Sequence, residues 1–108
     1  MDAHQQVRQA AEKYYSYLIK GDVDKYVQGI HDYDELPDDY RSQLHDMFLQ
    51  YLDHERTLRG GIVSAHALRD TLIDSLRAQV FIELQFGDST REEVSLPLVH
   101  TNKGWCMK

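Results

Sequence analysis

The chain has 108 residues, eighteen acids against twelve bases, a formal net charge of -6 and 42% hydrophobic content. That length fits a single domain over residues 1–108 with one core, the composition excludes a fully disordered chain, and the acidic balance opposes a phosphate backbone, which argues against nucleic acid as a partner. The lone Cys106 can close no intramolecular disulfide and cannot found a thiolate zinc site, and no segment approaches the roughly 18 apolar residues of a membrane span.

Residues Met1 to Val7 lack the basic start and apolar run of a signal peptide. A cytoplasmic protein is expected if the chain is complete as written, an exported one if a leader has been trimmed. Val7, Ala10, Ala11, Tyr14 and Leu18 then recur at helical spacing and predict a core-facing helix from about Ala3 to Ile19. Gly21 suits the left-handed residue that ends a helix, and Asp22 suits the N-cap of the next. Val23, Tyr26, Val27 and Ile30 repeat the spacing, so a second, short helix leaves the first at a new angle. A third begins near Pro37, with Asp38 and Asp39 at the positive end of its dipole. Its apolar line is Tyr40, Leu44, Met47, Phe48, Tyr51 and Leu52, and Gly60 and Gly61 end it.

Beyond Gly61 the period falls to two. Ala78, Val80, Ile82, Leu84 and Phe86 form one face of a strand with Gln79, Glu83 and Gln85 opposite, and Val94, Leu96 and Leu98 form one face of the next, after a hairpin loop at Gly87–Thr90. Asn102, Lys103 and Gly104 make a further turn, and Trp105 opens a short last strand. Ile62 to about Ile73 is also strand-like, but its alternation is weak, with Ala65 and Ala67 facing one way and His66 and Leu68 the other. Helices in front and antiparallel strands behind predict an α+β domain, its three N-terminal helices packed on one face of a sheet of about four strands.

A long helix ending in GDVDKY, two more helices, and a meander whose last hairpin reads LVHTNKGWCMK resemble the nuclear transport factor 2-like superfamily, the cystatin-like α+β cone, and within it small bacterial domains similar to lumazine-binding and polyketide-cyclase proteins. The resemblance covers nearly the whole chain, and its motifs are structural: Gly21 with Asp22 at the helix break, and Gly104 with Trp105 in the last hairpin. It implies a curved sheet wrapped around the helices, an open end that often holds a ligand, and dimerisation through the outer sheet face. It also implies that the break at Gly21 bends the first two helices to close the cone.

Enzymes of this resemblance include ketosteroid isomerase, scytalone dehydratase and the polyketide cyclases, which use Asp, His and Tyr inside the cone. Tyr14 and Tyr51, on inward helical stripes, and His66 and His100, on strands, are therefore the pocket-lining candidates, as phenol donors and imidazole bases respectively or as core and surface residues. The segment HDMFLQYLDHE lacks the i, i+4 His pair of a metal helix, and DYDELPDD lacks the Gly and terminal Glu of a calcium loop, so no metal and no cofactor are expected. Cys106 carries no sign of an activated thiolate. Phe81, Pro97 and Val99 stand opposite the core line among Glu83, Ser95 and Thr101, a patch expected to pair two copies as a homodimer. Three functions stay open: a domain holding a small apolar ligand or acting as a dimeric interaction module, an isomerase, dehydratase or cyclase with a Tyr donor and a His or Asp base, and a purely structural dimerisation domain.

Overall fold

The computed structural model describes residues 1–108. Three helices, α1 (Ala3–Ile19), α2 (Val23–Gln28) and α3 (Asp38–Arg59), precede four strands, β1 (Ile62–Leu72), β2 (Arg77–Phe86), β3 (Arg91–Thr101) and β4 (Gly104–Met107), with a 3-10 turn at Tyr33–Glu35 between α2 and α3. The strands form one antiparallel meander in the order β1-β2-β3-β4. Ile30 adds a parallel bridge to Met107, so the chain between α2 and α3 is tied to the outer edge of β4. The expected α+β architecture is what the chain adopts, and at 18 Å its thinnest dimension is that of one helical layer on one sheet.

α1 starts on a reciprocal capping box: Asp2 accepts from the Gln5 amide, and the Gln5 side chain accepts from the Asp2 amide. It ends with Gly21 at φ +76°, where the Gly21 amide donates to the Leu18 carbonyl and the Asp22 amide to that of Tyr17. This paired closure satisfies carbonyls the helix leaves free and turns the chain at once. The Asp22 side chain then caps α2 by accepting from the Lys25 amide at 3.2 Å. The break is thus two caps placed back to back.

α1 packs chiefly across β1 and β2, and its Val7, Ala11, Tyr14, Tyr15 and Leu18 share one core with Ile62 and Ala67 of β1, Ala78, Val80, Ile82, Leu84 and Phe86 of β2 and Leu96 and Leu98 of β3, to which α2 adds Val23, Tyr26 and Val27. Ile82 and Leu84 are completely buried, and each stabilises the fold by about 1.5–3 kcal/mol relative to exposure. β1 departs from strict alternation because its pairing with β2 slips twice, between Ile62 and Ser64 and between Ala67 and Arg69. Ala65 and Ala67 face Leu84 and Ile82 on the helix side, His66 faces Glu83 outside, and Leu68 is the extra residue of the second bulge. Each bulge bends its strand and sharpens the twist of the sheet.

α3 behaves differently from the other helices. Glu55 is its one fully buried residue, and Phe48, Tyr51 and Leu52 are only partly covered. No helix is long and apolar enough to cross a membrane.

Candidate functional site

The C-terminal half of α3 meets the β2–β3 hairpin at one end of the helix layer. Gly60 and Gly87 pack backbone to backbone there, with the Gly87 amide donating to the Gly61 carbonyl and the Asp88 amide to that of Arg59, both at 2.9 Å. This junction fixes Arg59. Its Nε donates to Glu55 Oε2 and its Nη2 to Glu92 Oε2, each at 2.8 Å, while its guanidinium lies 3.7 Å above the Phe86 ring. Hydrogen bonding to Glu55 first, and then to Glu92, holds the guanidinium pKa above its usual value. The cation is therefore spent on two carboxylates of its own chain.

Two phenols, Tyr15 and Tyr51, border this triad, and Tyr26 lies next to both of them. Burial, reinforced by the fields of Tyr51 and Glu92, pushes Tyr15 up to about 12. Tyr26 is raised by burial and then by Tyr15 and Tyr51, and its ring meets Phe48 edge to face at a centroid distance of 4.8 Å. Burial raises Tyr51 too, with Glu55 and Glu92 adding to the shift and Arg59 opposing it. All three are neutral O–H donors at physiological pH. No buried side-chain polar atom lacks a partner, so hydroxyls without a protein partner reach solvent. Chemically the cluster offers donors, together with two carboxylates that Arg59 already engages.

The four pocket candidates lie in different places. Tyr51 is in the cluster. Tyr14 donates its hydroxyl to the Trp105 carbonyl at 2.6 Å, locking α1 onto β4, and burial raises its pKa first, with Cys106 and Tyr17 contributing. His66 is exposed on the outer side of β1, its Nδ1 3.4 Å from Glu12 Oε2. His100 is exposed near the β3–β4 turn, its ring tilted 45° against that of Trp105 at a centroid distance of 4.9 Å. No histidine joins the phenols. Tyr15, Glu55, Arg59 and Glu92 were not singled out from the sequence, although the i, i+4 pair of Glu55 and Arg59 is a legible signal.

None of the larger clefts opens at the cluster. A cleft of about 430 Å³ lies instead between α2 and the first turns of α3, bounded by Asp24, Tyr33, Asp38, Arg41, Ser42, His45 and Asp46. His45 Nε2 sits 2.9 Å from Asp24 Oδ1 there, and Arg41 pairs with Asp38. No three His, Cys, Asp or Glu side chains converge in metal-ligating geometry. On the outer sheet face Phe81 is half-buried beneath the Arg69 guanidinium at 4.5 Å, and Glu93 holds Arg69 through two 3.0 Å hydrogen bonds. Pro97 is exposed, and Val99 is half-buried opposite Cys106.

No family model and no curated protein matches the chain. Among solved structures it is similar to a crystal structure from Campylobacter jejuni described as a "putative NTF2-like transpeptidase", with a TM-score of 0.70 at 15% identity over 90% of this chain and 92% of that one. Agreement at that level over nearly both lengths shows the fold. The protein has the nuclear transport factor 2-like fold.

Proposed function

We propose that the protein is a non-catalytic interaction module, a filled cone whose working surface is the outside of α3. The observation that carries this reading is the packing of α3: a helix of 22 residues buries Glu55 alone and leaves Tyr40, Met47, Leu49 and Leu58 exposed. Most helical stability in proteins comes from packing an apolar face, and this helix packs only a narrow line of its own. The filling of the cone supports the same view. Ile82, Leu84, Phe86 and Leu98 occupy its interior, and the phenols above them are met by no base that is free to act.

A second reading has a specific observation behind it. Tyr15, Tyr26 and Tyr51 are three neutral donors gathered at one end of the helix layer, an arrangement suited to the oxygen atoms of a small, otherwise apolar ligand. Native mass spectrometry of the purified protein separates the two. The expected result is polypeptide mass alone, as monomer or multiples of it. A small molecule retained in one-to-one ratio, and lost on Tyr15→Phe with Tyr51→Phe, would replace the module reading with the ligand reading.

A further inference from the structure

The meander has two outer strands, β1 and β4, and the chain treats their free edges differently. Residues 29–31 lie along β4. Ile30 bridges Met107, the His31 amide donates to the Met107 carbonyl at 2.7 Å, and the Met107 amide donates to the Gly29 carbonyl at 2.8 Å. No strand follows β1, which leaves an edge of 11 residues whose outward backbone groups face away from β2. Its stretch over residues 63–68, VSAHAL, holds no proline, no glycine and no Asp, Glu, Lys or Arg, the composition that pairs most readily with another strand.

One side chain interrupts that edge. Glu12 reaches from α1 to β1, where its Oε2 accepts from the Ala67 amide at 2.9 Å and lies 3.4 Å from His66 Nδ1. Strand amides point alternately to one neighbour and the other, and this one is met by α1 instead of a strand. Ala67 is 7% exposed, so water is a poor substitute acceptor and an unmet amide there is costly. Beside it stands Leu68, the extra residue of the second bulge. A bulge and an occupied amide each hinder the addition of a strand, and here they fall on adjacent residues.

We propose that Glu12 is a latch on the β1 edge, holding the Ala67 amide so that the β1 of a second copy does not extend the sheet. The excluded partner follows from symmetry. Two β1 edges can meet antiparallel about a two-fold axis, amide to carbonyl in both directions, and such pairing closes at two copies because residues 29–31 already cover β4. The latch goes beyond the module reading and does not depend on it, since α3 takes no part.

Hydrogen exchange in dilute solution tests the latch, and light scattering of concentrated solutions tests its consequence. Glu12→Ala should speed exchange of the Ala67 amide by more than about tenfold relative to the amides of β2. It should also raise the mass above the parent's at the same concentration. Glu12→Gln, whose side-chain oxygen still accepts from Ala67, should keep both the slow exchange and the parent's mass. Leu68→Lys in the Glu12→Ala background should restore the mass alone, because a lysine on the edge opposes a second strand without remaking the bond. Exchange at Ala67 that is unchanged in Glu12→Ala overturns the latch. Faster exchange with no gain in mass overturns its role against a second copy, and association that survives Leu68→Lys overturns the assignment to β1.

Discussion

Asp70 joins the helix layer to the sheet by charge. Its side chain is 2% exposed, forms an ion pair with Arg8 Nε at 2.9 Å and sits 2.6 Å from His4 Nδ1, both partners lying on α1 one turn apart. A carboxylate this enclosed is tolerable because both oxygens are occupied. Removing it returns Arg8 and His4 to water, since each is already about half exposed, and so costs less than stranding a buried charge. Asp70→Ala should destabilise the fold by about 1–3 kcal/mol, read from the midpoint of urea unfolding, and a change within error would mean that packing alone holds α1 on β1. Gly29 is constrained by space rather than conformation, since its φ of -78° suits any residue. A Cβ there would fall within the ring of Tyr14, which is fixed by its bond to Trp105, while the Gly29 carbonyl accepts from the Met107 amide at 2.8 Å. Gly29→Ala should therefore cost about 1–3 kcal/mol through overpacking, and Tyr14→Phe about 1 kcal/mol through the lost hydrogen bond. If Gly29→Ala melted like the parent, the Tyr14 ring would have to be free to move.

At the scale of elements, the join between α1 and α2 makes one demand, and the inward line of α3, with Phe48, Leu52 and Glu55, and its outward line, with Tyr40, Met47 and Leu58, make others. Nothing lies within 4 Å of a Cβ built on Gly21, so Gly21→Ala meets only the strain of a left-handed residue, about 1 kcal/mol. In α3, Phe48→Ala removes an edge contact with Tyr26 and should cost about 2–3 kcal/mol, whereas Leu58→Glu should leave thermal stability within about 0.5 kcal/mol. Equal losses at both positions would mean that α3 buries both lines. The sequence made the caps at Gly21 and Asp22 and the inward faces of β2 and β3 readable, because each depends on residues close together in the chain. It merged the lines of α3, since Tyr40, Leu44, Met47, Phe48, Tyr51 and Leu52 are all apolar and spacing alone does not say which of two adjacent faces meets the sheet. The register of β1 was hidden for another reason. A bulge adds a residue without changing composition, so Leu68 breaks an alternation that only the pairing with β2 restores. The triad of Glu55, Arg59 and Glu92 spans 37 residues of sequence and needs the Gly60–Gly87 junction to assemble, so only its helical half was legible.

For the molecule as a whole, the gathering of buried phenols sets how stability depends on pH. Tyr14, Tyr15, Tyr26 and Tyr51 all ionise less readily in the folded chain than a free tyrosine does, burial being the largest cause in each. Below about pH 10 both folded and unfolded chains keep these protons, and the phenols contribute their full stabilisation. Above it the unfolded chain releases them first, so the folded chain binds more protons and stability falls as pH rises. For Tyr15 that loss runs from about pH 10 to its folded value of about 12, with a slope of about 1.4 kcal/mol per pH unit. Urea unfolding followed by circular dichroism at pH 7, 8 and 11 should thus give similar midpoints at the first two and a lower one at the third. Tyr15→Phe should flatten that decline, whatever it does to stability at pH 8, because the group that titrates is gone. A midpoint independent of pH up to 11, or a Tyr15→Phe curve parallel to the parent's, would mean that the Tyr15 hydroxyl is as well solvated in the folded chain as in the unfolded one, and that its surroundings are wetter than their packing implies.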